Sequence, residues 1–419
     1  MNSLVFRARI ALLTGGTQAA VQLLGFASGL LVIRLLAPEQ YAFYTIANAV
    51  LGAMTVMADG GIGSGVMAHG GRVWHDRLKL GVVLSTGLGL RRKLALVVAI
   101  VALPILLALL RRQGAGWMQA LLVSAAVYPL FLASMTGSLL EAVPRLHQNL
   151  LLLQTTQIYA NLSRAILLVV FVTLWPLAVV AVFAAALPQW WNNWRLRAIA
   201  QSGADWQVPP DPEVREQLLA QLQRTLPASA FYAFSGQLTV WMITLFGQAS
   251  SVAAVGALSR LVMVLGILTT TFGLLAVPRF ARLPVEDHTR IRRRYWQSQA
   301  VLCAACGVPV VALGCFPGFA VALLGPHYRG LEQEALLMAL SGLAATLAGA
   351  AYSLAAARGI VAPPWKAIPI SLALQLSLVL ALPLDTIAGV IWLGLLSSAG
   401  QWILQVAYFE RSHRGWAKG

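Results

Sequence analysis

Long apolar runs constrain the fold of this chain more than any other feature. A helix needs about 20 mainly apolar residues to cross a bilayer. Twelve runs of roughly this length follow one another, at 10–34, 41–68, 94–110, 117–140, 149–172, 175–194, 226–247, 252–277, 297–324, 334–357, 367–384 and 387–409. Hydrophobic residues make up 59% of the chain and charged residues only 11%. The pattern predicts an all-α polytopic membrane protein with about 12 transmembrane helices.

A hydrophilic segment divides the apolar runs into six and six. Within it, PPDPE predicts a turn that leads into an amphipathic helix at 213–224. We therefore expect an N-terminal six-helix lobe at 1–194, a cytoplasmic linker at 195–225 and a C-terminal six-helix lobe at 226–419.

The two halves share a weak internal repeat. At a spacing of 211 positions, EQYAFYTIANAVL lies over SSVAAVGALSRLV, so that Asn48 corresponds to Ser259 and Asp59 to Thr270. Identity is slight, but both halves have an apolar run, a short loop of small residues and a second long run. The shared order favours two structural repeats.

The basic residues predict the orientation, because cytoplasmic loops of membrane proteins are rich in Lys and Arg. With a cytoplasmic N-terminus, 24 of the 30 Lys and Arg residues fall on the cytoplasmic side, 4 on the opposite side and 2 inside spans. This count assigns Arg91 to a cytoplasmic loop at 69–93. The split predicts that both termini are cytoplasmic. The net charge of +16 is spread over such loops, so we expect no nucleic-acid partner.

Polar side chains recur at helical spacing in five spans, although they are costly in lipid. The stripes are Thr14, Gln18 and Gln22; Tyr41, Asn48, Thr55 and Asp59; Gln154, Gln157, Asn161 and Arg164; Tyr232, Ser235 and Thr239; and Ser397, Gln401 and Gln405. Hydrogen bonds between helices explain single polar residues. Five stripes over both halves instead predict a water-accessible cavity between two lobes.

Four charged residues would mark this cavity. Arg164 and Arg260 lie inside predicted spans, and the carboxylates Asp59 and Glu141 lie near the ends of others. Intramembrane carboxylates often carry protons or ions, so Asp59 and Glu141 are candidates for ion coupling. The alternative for Asp59 is simple neutralisation by an arginine.

Motifs for enzymatic or metal chemistry are missing from the sequence. It contains no GxxxxGK[ST], HExxH or GxSxG. The GGIGSG at 60–65 has no strand before it, which favours close helix approach over nucleotide binding. Cys303 and Cys306 form a CxxC without a second pair, as expected of packing residues. We expect no enzyme activity, no metal and no cofactor.

The segment VIRLLAPEQYAFYTIANAVLGAMTVMADGGIGSG resembles the start of Wzx-type polysaccharide and O-antigen flippases of the multidrug/oligosaccharidyl-lipid/polysaccharide (MOP) exporter superfamily. The likeness rests on Arg34–Leu36, Ala37–Glu39, Tyr41–Tyr44 and Asp59–Gly61, with Ala42 where glycine is usual. The segment AAVGALSRL is similar to the family's matching feature in the second lobe. The resemblance implies a MATE-like fold.

The resemblance also implies a function. Such a flippase moves an undecaprenyl-diphosphate-linked oligosaccharide from the cytoplasmic to the periplasmic leaflet of the bacterial inner membrane, by alternating access coupled to a gradient. Its partners would be this lipid-linked oligosaccharide, membrane lipids, a polysaccharide polymerase and a chain-length regulator. Arg164 and Arg260 would contact phosphate, which guanidinium binds bidentately. The other candidate substrate contacts are Asn48, Gln154, Gln157, Asn161 and Tyr232.

Three alternatives stay open. MATE-type multidrug or cation antiporters commonly carry an acidic residue in the first span, and this first span has none. Lipid II flippases usually have additional spans and several arginines in their first helices. A membrane-embedded polysaccharide polymerase or ligase would need a large outer loop, whereas His327 and Arg329 lie in a short one.

Overall fold

The chain is almost entirely helical in the computed structural model. Helix accounts for 88% of it, and no described residue lies in a β-strand. The described residues are 2–147, 149–205, 208–281, 283, 287–358, 360 and 362–416. Among them, nine helices are long and apolar enough to cross a membrane, as judged by length and composition. The predicted all-α, multi-pass membrane class is confirmed.

The chain folds as two compact units, residues 1–238 and 239–419. The predicted linker at 195–225 belongs to the first unit, and the proposed lobe boundaries stay a prediction. The helices of the first unit are α1 (Asn2–Leu35), α2 (Pro38–Asp59), α3 (Ile62–Val73), α4 (Arg77–Arg112), α5 (Trp117–Leu140), α6 (Ala142–Leu146), α7 (Leu150–Leu174), α8 (Ala178–Gly203) and α9 (Pro212–Ser235).

Helix α2 is the central element of the first unit. It packs against α4, α5, α8 and α9, and Tyr41, Ile46 and Ala58 along its length are fully buried. Its C-terminus is a left-handed glycine, Gly60 with φ 50°, which ends the helix and allows α3 to start two residues later. Next to this turn, residues of α3, α4, α8 and α9 contribute to an apolar core that includes Leu218 of α9.

The second unit contains seven α-helices among its described residues, and part of its core is rich in aromatic residues. The helices are α10 (Leu238–Phe246), α11 (Ala249–Ala281), α12 (His288–Cys315), α13 (Pro317–Leu324), α14 (Glu332–Ala356), α15 (Pro364–Ala381) and α16 (Ile387–Trp416), with a 3-10 turn at Pro326–Tyr328. Tyr295 of α12 stacks on Phe409 of α16 with ring centroids 3.9 Å apart. Glu410 accepts hydrogen bonds from Arg292 and Trp296, each at 2.9 Å, which joins the same two helices.

The predicted loop at 69–93 is wrong. Helix α3 continues to Val73, and α4 begins at Arg77, where the Asp76 side chain accepts hydrogen bonds from the Leu78 and Lys79 amides. With 36 residues, α4 is about 54 Å long, well beyond the roughly 30 Å of a bilayer core. Arg91 therefore lies inside a helix and not in a loop.

The other long connections also contain more helix than predicted. The side chain of Asp211 accepts a hydrogen bond from the Glu213 amide at 2.8 Å, so α9 begins within PPDPE as the turn signal indicates. Helix α9 then continues beyond 224, into the predicted seventh span. The predicted loop at 278–296 is shorter than expected, since Asp287 caps α12 and His288 begins it.

Helix starts in the two units repeat at the spacing seen in the sequence. Helices α2 and α11 begin at Pro38 and Ala249, 211 positions apart. Helices α4 and α12 begin at Arg77 and His288, again 211 positions apart. The weak sequence repeat therefore corresponds to a repeat of helix boundaries.

Candidate functional site

A polar cavity lies inside the first unit, between α2, α5, α7 and α8. Its volume is about 160 Å³, and its polar lining residues are Asn48, Ser134, Asn161, Arg164 and Gln189. We call it the Arg164 cavity. Three of the predicted substrate contacts, Asn48, Asn161 and Arg164, meet here although they come from two helices.

Arg164 is the charged residue of this cavity. Its Nε atom is buried and has no hydrogen-bond partner in the described part of the chain, and no carboxylate is among the described residues that line the cavity. Asn48 donates to the Tyr44 carbonyl at 2.7 Å, and Asn161 donates to the Gln157 carbonyl at 2.9 Å. Both amides thus use a donor within their own helix. The described lining therefore presents a cation without a neutralising carboxylate, which fits an anionic group.

A second, larger cavity lies at the end of the first unit that the sequence predicts to be cytoplasmic. Its volume is about 480 Å³. The charged lining residues are Asp59, Arg91 and Arg145, and the hydroxyl groups come from Thr55, Ser64, Ser138 and Ser229. We call it the Asp59 cavity.

Asp59 and Arg91 form an ion pair within this cavity. Arg91 Nη2 donates to Asp59 Oδ1, and its Nη1 donates to the Met135 carbonyl at 3.0 Å and to Ser138 Oγ at 2.7 Å. The Gly63 amide also donates to Asp59 Oδ1, at 3.2 Å. The pair joins α2, α4 and α5. It matches the neutralisation that we considered as an alternative for Asp59, whose role in ion coupling stays a prediction.

Glu141 pairs with a different arginine. It forms an ion pair with Arg145, one helical turn later, and its Oε1 accepts a hydrogen bond from Gln157 Nε2 at 3.1 Å. Gln157 belongs to the same stripe of α7 as Asn161 and Arg164, so the stripe extends from Glu141 to the Arg164 cavity. Polar groups therefore line α7 from Gln157, which contacts Glu141, to Arg164. We call this row of residues the polar path.

The remaining predicted residues lie elsewhere. Gln154 is buried on α7, and its Oε1 atom has no hydrogen-bond partner among the described residues. Tyr232 is 41% exposed on α9, with its ring edge-on to Phe231. Arg260 belongs to α11 of the second unit, where its Nη1 lies 3.4 Å from the Met263 sulfur. The side chains of Thr14 and Gln18 lie outside the described residues.

Sequence reasoning missed seven polar lining residues of the two cavities, which are Ser64, Arg91, Ser134, Ser138, Arg145, Gln189 and Ser229. The signal for Arg145 was present, since Glu141 and Arg145 have the spacing of an ion pair on one helical turn. For Arg91 the usable signal was Asp76, because aspartate is a favoured N-cap residue. A helix that begins after Asp76 contains Arg91 well inside it. Ser134 and Gln189 carry no distinguishing local pattern.

Comparison with known proteins identifies solved structures that have a similar fold. No protein-family model matches the sequence, and no curated protein matches it. Among solved structures, an inward-facing multidrug resistance MATE family transporter of the MOP superfamily has a TM-score of 0.75 at 14% identity, covering 95% of this chain and 96% of that one. The lipid II flippase MurJ, in an inward closed conformation, has a TM-score of 0.73 at 12% identity, covering 96% and 87%.

A further MATE multidrug transporter, DinF-BH, has a TM-score of 0.69 at 18% identity, covering 96% of this chain and 94% of that one. At such identities the likeness concerns the fold. The predicted MATE-like fold is confirmed: this chain has the fold that MATE transporters of the MOP superfamily share with MurJ.

Proposed function

We propose that the protein is a flippase that moves an undecaprenyl-diphosphate-linked oligosaccharide from the cytoplasmic to the periplasmic leaflet of the bacterial inner membrane. The observation that carries the proposal is Arg164, a cation in a polar cavity whose described lining has no carboxylate. A diphosphate cannot cross hydrocarbon alone, because desolvating its charges is too costly. A guanidinium in such a cavity offsets that cost.

The size of the Arg164 cavity limits what it can hold. Pockets for whole drug-sized ligands have volumes of about 300–1,000 Å³, whereas this one has about 160 Å³. We therefore assign it the phosphate groups and not the complete sugar. Asn48 and Asn161 would hydrogen-bond the neighbouring polar atoms, and the prenyl tail would stay in lipid.

The proposed mechanism is alternating access, in which two lobes rock about the substrate. Its support is the fold: MATE structures with this fold are described as inward-facing and as outward-facing. Arg260 and Tyr232 are proposed as further substrate contacts, with Gln154 and Gln157 along the path. Candidate partners are a polysaccharide polymerase and a chain-length regulator.

Gradient coupling is part of the proposal, with Asp59 and Glu141 as the coupling groups. Both carboxylates pair with an arginine. Protonation of either carboxylate would release its arginine. The positive charge along the polar path would then increase when a proton binds. A bound cation would act in the same way.

A multidrug antiporter is the second candidate, because MATE transporters have this fold. An organic cation needs an available carboxylate or aromatic cage. In the first unit, the two carboxylates near the polar path are engaged by Arg91 and Arg145. This pairing favours an anionic substrate.

Purified protein in liposomes distinguishes the two candidates. We expect flipping of a fluorescent undecaprenyl-diphosphate-linked oligosaccharide, and no accumulation of a fluorescent organic cation driven by a proton or sodium gradient. Protein-free liposomes and the same glycan on a neutral prenyl carrier are the controls. Transport of the cation without flipping of the diphosphate-linked glycan would replace the flippase proposal with the antiporter.

A further inference from the structure

The Asp59 cavity contains two arginines, and each is held by a carboxylate. We propose that this cavity is a second anion site, which captures the diphosphate headgroup at the cytoplasmic end before it reaches Arg164. Asp59 and Glu141 hold the two arginines while the site is empty. The inference rests on the proposed function and names a separate site for it.

Asp59 lies where an anion is well stabilised. Its Oδ1 atom accepts from the Arg91 guanidinium and from the Gly63 amide, which lies in the first turn of the 12-residue helix α3. A guanidinium and the amides at a helix N-terminus are the donors that bind phosphate oxygens in many proteins. The carboxylate thus occupies a position that suits a phosphate group.

Arg91 has donor capacity beyond its present bonds. Its side chain is only 5% exposed, it lines the cavity, and its Nε atom has no hydrogen-bond partner within the described ranges. A buried guanidinium with an unused donor is costly. An anion in the Asp59 cavity would offset that cost if the side chain turned toward it.

Arg145 is the more exposed cation of the site. Its side chain is 50% exposed, whereas its partner Glu141 is 15% exposed and also accepts a hydrogen bond from Gln157. Arg145 can therefore leave Glu141 for an incoming phosphate, and the carboxylate keeps one hydrogen bond. An arginine that exchanges partners in this way binds the headgroup without trapping it.

The dimensions and the chemistry of the cavity suit a sugar diphosphate. The volume of about 480 Å³ lies in the range of pockets that hold drug-sized ligands. Hydroxyl groups of Thr55, Ser64, Ser138 and Ser229 line it, and hydroxyls both donate to and accept from sugars. The cavity has room for the diphosphate and part of the first sugar.

The second unit lacks the equivalent pair. At the spacing of 211 positions, Thr270 corresponds to Asp59 and Leu302 to Arg91. Leu302 is a buried core residue, 2% exposed. The 211-position repeat therefore does not reproduce the Asp59–Arg91 pair in the second unit.

Protection of a cysteine in the cavity wall tests the site. Cys303, Cys306 and Cys315 are replaced by alanine, and Ser64→Cys introduces a thiol at an exposed position of the lining. Inorganic pyrophosphate should slow maleimide alkylation at position 64. The matched control is Ser202→Cys, an exposed serine on α8 outside the cavity lining, whose alkylation rate should not change.

Two substitutions then locate the interaction. Arg145→Gln should raise the pyrophosphate concentration for half-protection by at least about tenfold, because a charge-assisted contact is lost. Glu141→Gln should lower it, since the Glu141 carboxylate no longer competes with the anion for Arg145. An absence of protection, or protection that both variants leave unchanged, would overturn the inference.

The last experiment distinguishes a lipid headgroup from a soluble anion as the ligand of the site. In liposomes, undecaprenyl diphosphate should protect position 64 at a lower bulk concentration than pyrophosphate does, because the lipid is concentrated in the membrane. Protection by pyrophosphate alone would mark a site for soluble anions and overturn the capture role. Pyrophosphate protection without glycan flipping would keep the anion site and reject the flippase. Flipping with protection insensitive to Arg145→Gln would reject only the capture site.

Discussion

Asp59 and Arg91 form an ion pair whose two members differ sharply in exposure. The Asp59 side chain is 36% exposed and faces a cavity, whereas the Arg91 side chain is 5% exposed between α4 and α5. The two residues are 32 positions apart in the chain. Because Asp59 is far more accessible to water than Arg91, losing the carboxylate and losing the guanidinium have different consequences.

We expect Asp59→Asn to destabilise the protein more than Arg91→Leu does. The first leaves a buried charge without a counter-ion, which costs up to about 3–5 kcal/mol. The second leaves a carboxylate that the cavity can hydrate. The double variant should recover most of the loss. Thermal unfolding in detergent checks the cycle, and strictly additive losses would contradict the pairing.

Pyrophosphate should partly restore the stability of Asp59→Asn. A bound anion supplies the missing counter-charge for Arg91, and a ligand at ten times its Kd adds about 1.4 kcal/mol. The gain should be larger for Asp59→Asn than for the wild type, in which the carboxylate occupies the site. Equal shifts of the unfolding temperature in both proteins would argue against binding near Arg91.

The turn between α2 and α3 should not tolerate a side chain at Gly61. Its φ is +96°, and a Cβ there would lie 2.4 Å from Thr225 Oγ1 of α9, which donates to the Gly60 carbonyl. The backbone strain alone costs about 1–2 kcal/mol, so Gly61→Ala should lower the unfolding temperature.

The matched control for this turn is Gly89→Ala, in the middle of α4. A Cβ at Gly89 would meet no described atom within 4 Å apart from the backbone of its own helix, and alanine favours helix over glycine by about 1 kcal/mol. This variant should be as stable as the wild type or more stable. Equal losses for Gly61→Ala and Gly89→Ala would show that the contact of the turn with α9 is unimportant.

Much of the fold follows from the sequence, because membrane spans are read from composition and length. Part of the site follows as well. Asn161 and Arg164 were found because their spacing puts them on one helix face, and that face does line a cavity with Asn48. The Asp59–Arg91 pair was not found, since it depends on how α2 packs against α4. The basic cluster around Arg91 also looked like a loop by the charge rule that sets orientation.

Neutralising the paired carboxylates should remove the gradient dependence of flipping. We expect this in Glu141→Gln or in Asp59→Asn, because each substitution removes a carboxylate that we propose as a coupling group. Flipping is measured in liposomes with an imposed proton or sodium gradient and without one. Glu216→Gln, which changes an exposed carboxylate of α9, is the control. Unaltered gradient dependence in both test variants would exclude these carboxylates as coupling groups.

The flipping rate of Arg164 variants tests the central claim most directly. In liposomes with a diphosphate-linked glycan, Arg164→Ala should lower the rate at least about tenfold, since a contact to a charged group is worth roughly 1.5–3 kcal/mol. Arg164→Lys should lose less, because it keeps the charge but not the bidentate fork. The control Arg112→Ala removes an exposed arginine at the end of α4 and should match the wild type. A wild-type rate for Arg164→Ala would contradict the account.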